Sequence, residues 1–173
     1  MTYIKKISYL AINSKDRDTS TFVQPEQYTI NLDTDVGAIY KNVVSVKLIS
    51  ATIPDINNVR DEPFLILNVD ELSNAYTKYR GTNKAFTNMY DILRFTDRLT
   101  DTKFIYLSEG PLIEYHPPLA KLSKMTISFT DQTGSLFSWG DDSTLSLIRQ
   151  NSLVFEITEM IANVEKLGTR NVF

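Results

Sequence analysis

Short runs of apolar, β-branched and aromatic residues, each stopped by a turn signal, recur along this chain and leave little room for long helices. Over residues 27–33, Tyr28, Ile30 and Leu32 alternate with polar neighbours, and a period of two marks a strand with one face in water. Residues 43–53 are apolar on both faces, as a strand held between layers is, and Pro54 stops them. Residues 3–12 predict a first strand in which either face could bury: Ile4, Lys6, Ser8, Leu10 and Ile12 on one, Tyr3, Lys5, Ile7, Tyr9 and Ala11 on the other. Further strands are expected at 64–69, 103–108, 125–130, 135–138 and 153–158, with a turn at Asp131-Gln132-Thr133-Gly134. Residues 84–100 mix both periods and are assigned to strand, and 160–167 reads as a short helical stretch.

Eight or nine short strands with no alternation of strands and long helices predict an all-β fold. Its expected form is an antiparallel β-sandwich, a single jelly roll or a related topology. A chain of 173 residues can bury about 70% of its unfolded surface without staples. With no internal repeat, low-complexity stretch or dividing linker, one domain over residues 1–173 is expected.

Composition narrows the partners. Eighteen Lys and Arg against 21 Asp and Glu give a net charge of −3, whereas affinity for nucleic acid rests on a clustered positive surface; nucleic acid is not an expected partner. The chain has no cysteine, which removes disulfides, thiolate nucleophiles and Cys-based zinc sites. It has no Asn-x-Ser/Thr triplet. The first residues lack the apolar core of a secretion signal, and no apolar run approaches the roughly 20 residues of a membrane helix, so membrane insertion is not expected.

Signatures of catalysis are missing from the sequence: no phosphate loop, nucleophile elbow, paired-histidine metal helix or dinucleotide fingerprint. The sole histidine, His116, stands in Tyr115-His116-Pro117-Pro118, a rigid extended connection, and reads as a turn-facing side chain. Asp16 and Asp18, Asp33 and Asp35, and Asp141 and Asp142 could each contribute to a calcium site, yet none matches a known calcium-loop spacing; turn formation is the plainer role. No enzyme activity, cofactor or metal is therefore expected. Trp139 reads either as a sugar platform or, more economically, as an aromatic closing the end of the sandwich. Val172 and Phe173, an apolar finish to a polar tail, suit either docking on a neighbour or tucking onto the chain's own core.

Three N-terminal segments carry a resemblance: residues 12–18 (Ile-Asn-Ser-Lys-Asp-Arg-Asp), 24–32 and 42–54. Residues 117–129 with the 131–134 turn, and 153–157, carry it through the second half. In this order they resemble the minor capsid and penton proteins of large icosahedral double-stranded DNA viruses, the nucleocytoplasmic large DNA viruses. Where such proteins often have Asp-His-Ser after the hairpin, this chain has Asp141-Asp142-Ser143, so no histidine role carries over. The resemblance implies a structural virion subunit assembled in the host cytoplasm. Its partners would be other capsid proteins, including a major capsid protein, with a homopentamer as one possible assembly. Candidate contacts are Asp16, Arg17, Asp18 and Phe22 on the first loop, Asn57 and Arg60 on the 55–62 loop, and Val172 and Phe173. A carbohydrate-binding β-sandwich of a fibre or lectin type is the alternative function.

Overall fold

Alternation of apolar and polar side chains becomes ten antiparallel strands in two packed sheets. The computed structural model describes residues 2–72, 89–95, 97–100, 102–107 and 112–163. In chain order the strands are β1 (Tyr3–Asn13), β2 (Gln27–Asn31), β3 (Tyr40–Pro54), β4 (Leu65–Val69) and β5 (Met89–Leu93). They continue as β6 (Asp97–Thr100), β7 (Lys103–Leu107), β8 (Ile113–Leu122), β9 (Lys124–Thr130) and β10 (Ser152–Ala162). Sheet one runs β1-β10-β3-β7-β6, with β8 also on β3; sheet two runs β2-β9-β4-β5. The central strand β3 gives one edge to β10 and divides the other: Tyr40 to Val46 pair with β8, Ser50 to Pro54 with β7.

The inner faces share one apolar core. β9 shows the cause most directly, since Met125, Ile127 and Phe129 are buried while their neighbours along the strand are not, as a pleat covered on one side requires. Facing them are Leu153, Phe155 and Ile157 of β10 and Val46, Leu48 and Ile53 of β3. Tyr90 meets Phe155 edge-on at 5.7 Å, a favoured aromatic geometry. β4 is buried on both sides, because Ile66 and Met89 form a small cluster with Phe64 and Ile92 apart from the main core.

Several expectations change. Among the described residues ten strands stand where eight or nine were expected. Residues 135–138 make only an isolated bridge, Thr130 to Leu136, and Met160, Ile161 and Ala162 extend β10 instead of opening a helix; residues 164–167 lie outside the described ones. The segment around Pro117 and Pro118 belongs to β8, not to a connection. Its ladder explains how prolines fit: Leu119 pairs with Val43 and Glu114 with Ser45, so Tyr115, His116, Pro117 and Pro118 bulge out opposite Val44 alone, which spares the missing N–H. Within 84–100, the described parts are β5 and β6. The two-faced first strand resolves with Leu10 and Ile12 inside and Tyr9 and Ile7 outside.

Candidate functional site

Three loops meet at the end of the sandwich where β3 finishes and β10 begins. Asn13 opens the first, its Oδ1 accepting the Lys15 N–H at 3.1 Å, and the Ser14–Asp16 turn then aims Arg17 inward. The Arg17 side chain is fully buried, and each of its five N–H donors has an acceptor. Nε donates to the Phe22 carbonyl at 2.7 Å. Nη1 donates to the Ser14 carbonyl at 2.7 Å and Gln150 Oε1 at 2.8 Å. Nη2 donates to the Val23 carbonyl at 2.6 Å and Asp142 Oδ2 at 2.8 Å. A planar fork that saturates in this way suits a desolvated position.

Asp142 is the arginine's counter-charge. Burial pushes its carboxyl up, but hydrogen bonds from Arg17, Gln150 Nε2 (2.7 Å) and the Ser146 N–H (2.8 Å) outweigh that and hold it below the ordinary range. Ser14 Oγ donates to Gln150 Oε1 at 2.8 Å and accepts the Asn151 N–H at 2.9 Å. Asn151 takes the Tyr28 hydroxyl at 2.8 Å and donates to the Pro25 carbonyl at 2.8 Å. The network thus stitches the 14–26 loop to the 139–151 loop. Glu26 sits in it with only 8% of its surface exposed and Oε2 unpartnered; burial raises its pKa, Arg17 pulls it down and Asp142 pushes it up.

The third loop joins through Asn57, in the left-handed region at φ 58, whose Nδ2 donates to the Ser138 carbonyl at 2.7 Å. Arg60 pairs with Asp55 and lies 5.5 Å over the Phe104 ring. From β7, Lys103 Nζ donates to the Ile148 and Gln150 carbonyls, and burial brings its pKa down to about 8.

Of the expected contact residues, Asp16, Asp18, Asn57 and Arg60 are exposed at this end, and Phe22 is half-buried against the core. Arg17 is corrected: with its side chain wholly inside, it offers nothing to a neighbour and instead ties two loops together. Val172 and Phe173 lie outside the described residues. Asp18 is spent locally, accepting from Ser20 and Thr21, which lowers its pKa. Asp33 and Asp35 likewise accept the Thr34 and Asn31 N–H groups. Among the described residues no group of three or more His, Asp or Glu could hold a metal ion.

Trp139 is buried, edge-on to Phe129 at 5.0 Å and Phe137 at 5.8 Å, which removes it as a sugar platform. Its indole N–H has no hydrogen-bond acceptor. His116 is exposed, 3.7 Å from Glu114.

Sequence reasoning missed two surfaces. One is a set of aliphatics on the 139–151 loop, Leu145, Leu147 and Ile148, with Leu147 71% exposed. The other is the outer face of β1, where Tyr9 is 67% and Ile7 58% exposed. The second could have been found, because the apolar set on both faces of residues 3–12 means that one face must be left outside unless a third layer covers it. At the opposite end from the three loops, an open groove of about 480 Å³ is lined by Tyr3, Ile39, Lys41 and Met160 among others. Its acid, Glu159, is already engaged by the Lys41 N–H at 2.8 Å and Lys6 Nζ at 3.4 Å.

No protein-family model matches the chain, and no curated protein matches it.

Proposed function

We propose that this chain is a structural subunit of the capsid of a large icosahedral double-stranded DNA virus, a minor capsid or vertex penton protein that contributes shape and inter-subunit contacts. The observation that carries the reading is the strand order. Setting the β6–β7 hairpin aside, the sheets read first-last-third-eighth (β1-β10-β3-β8) and second-ninth-fourth-fifth (β2-β9-β4-β5). That interleaving of successive strands between the two sheets supports a jelly-roll reading, an architecture common in viral shells. The order of the five resembling segments supports it from the sequence side.

On this reading the loop end bearing Asp16, Asp18, Phe22, Asn57 and Arg60 faces neighbouring capsid proteins, a major capsid protein among them. A homopentamer would close by heterologous contacts around a fivefold axis. Loops held by a saturated internal network present such contacts with little ordering cost. The test is cryo-EM of the virus particle whose genome encodes the chain. Density for one jelly roll of this topology at a vertex or beneath the lattice is expected, and absence of the chain from purified particles would sink the reading.

A carbohydrate-binding module of the fibre or lectin type is a second reading, favoured by the exposed Tyr9 and Tyr3 on the outer face of sheet one. Glycan-array binding lost in Tyr9→Ala would favour it over the capsid role.

A further inference from the structure

The free edge of β1 is the feature that the capsid reading leaves unused. At one end of the β1–β10 ladder the Asn163 N–H donates to the Thr2 carbonyl, and past the other the Ser14 N–H donates to the Asn151 carbonyl. Between them the register is unbroken, from Tyr3 opposite Ala162 to Asn13 opposite Ser152. Backbone groups of successive residues point to opposite edges of a strand. The even-numbered residues of β1 therefore bond to β10, while Lys5, Ile7, Tyr9 and Ala11 turn their N–H and C=O groups to the open side. No other described strand pairs with β1. Native edges are ordinarily blunted by shortness, bulges, proline or charged side chains, lysine above all; β1 is 11 residues long, has neither bulge nor proline, and carries charge only at Lys5 and Lys6, which any pairing must keep apart.

We propose that this edge pairs with the β1 edge of a second copy of the chain, antiparallel about a twofold axis at Ile7, joining the two copies of sheet one into a continuous sheet. The register follows from charge. Outward backbone groups meet only when odd residues face odd ones. Centring on Lys5 or Lys6 sets lysine against lysine, which directly opposed strands penalise. Centring on Ser8 drives Lys6 against the buried Leu10. Centring on Ile7 sets Ile7 against its copy, Ile4 against Leu10, Lys6 against Ser8 and Lys5 against Tyr9. Tyr9 already donates its hydroxyl to Glu156 at 3.0 Å, so Lys5 of the second copy arrives on the ring face beside an acid. This register also covers Ile4, which is 46% exposed although it lies on the inner side of the strand. The inference stands apart from the capsid reading, since either can fail without the other.

Sedimentation of the purified chain at high micromolar concentration tests it. Twice the 19.8 kDa monomer mass is expected, and a monomer at every concentration overturns the proposal. Ile7→Pro removes an N–H that the monomer does not use, so it abolishes the dimer while the thermal midpoint and far-UV circular dichroism stay unchanged. A dimer that survives Ile7→Pro overturns the edge. If that variant fails to fold, Ile7→Lys, which confronts like charges across the axis, decides in its place. The register has its own readout because the chain lacks cysteine. Under mild oxidation Ile7→Cys is expected to cross-link and Tyr9→Cys alone is not, while Lys5→Cys mixed with Tyr9→Cys forms the heterodimer. Cross-linking by Tyr9→Cys and not by Ile7→Cys refutes the axis.

Discussion

Arg17 and Asp142 hold together parts of the chain 125 residues apart in sequence, and their pair is buried on both sides. Breaking such a pair leaves one uncompensated charge in the interior, which costs about 3–5 kcal/mol, whereas replacing both partners by apolar groups is often close to neutral. Arg17→Met is therefore expected to lower the urea midpoint sharply, and Arg17→Met with Asp142→Leu to recover part of the loss; a double variant no better than the single would show that the surrounding carbonyls, not Asp142, set the cost. The two acids beside Arg17 respond to pH in opposite directions. Asp142 has a lowered folded pKa, so its contribution is present above the ordinary value of 3.8 and is lost as pH falls through the folded one. Glu26 has a raised folded pKa, so its contribution is present below 4.5 and is lost as pH rises through the folded one. Glu26→Gln is expected to gain on the wild type as pH climbs above the ordinary value of 4.5 and the buried carboxyl ionises, and thermal melts showing a pH-independent difference would contradict this. None of it was legible locally. Arg17 lies among Lys15, Asp16 and Asp18 and looks like part of a solvated charged loop, because its true partner is distant in the chain. Trp139 was legible, since a large aromatic beside a hairpin end has more to gain from burial than from exposure.

At the scale of elements, period-two patterning predicted most strands because burial on one face of a pleat is a local consequence of sequence. It failed where locality fails. β1 offers two apolar faces, and only its position against sheet two decides that Leu10 and Ile12 turn inward. β8 looked like a connection because proline is read as a breaker, yet a bulge opposite a single β3 residue accommodates two of them. Residues 135–138 looked like a strand by composition, but among the described residues their strand pairing is a single bridge. The assignment of faces in β1 makes a paired prediction. Leu10→Ala empties part of the core and is expected to cost about 2–5 kcal/mol, while Tyr9→Ser, one residue away, loses only an exposed hydrogen bond to Glu156 and is expected to leave the denaturation midpoint close to that of the wild type. Equal costs in chemical denaturation would mean that both faces of β1 are covered.

For the whole molecule, the pairing of the first strand with the last dominates. β1 lies on β10, β2 on β9 and β3 on β8, so sheet one cannot close until β10, at the end of the described chain, is in place, nor sheet two until β9 is, and the loop network binds the first and last of these regions again at residues 14–26 and 139–151. No local pattern in the sequence encodes which strands pair: period two shows that a segment is a strand with a buried face, not which distant strand lies beside it. Topologies dominated by distant pairs fold slowly, on a scale of roughly milliseconds to seconds, and leave few parts able to stand alone. The single tryptophan makes this testable. Trp139 is packed between Phe129 and Phe137 in the loop whose Asp142 carries the arginine latch, so its fluorescence follows the loop end, whereas far-UV circular dichroism follows the strands. If the latch is part of the same cooperative unit as the sheets, both signals change at one urea midpoint with one slope. A fluorescence transition at lower urea than the strand signal would mean that the loop end opens first as a separate unit. In that case the surface bearing Asp16, Asp18, Asn57 and Arg60 would have to be ordered by whatever it contacts.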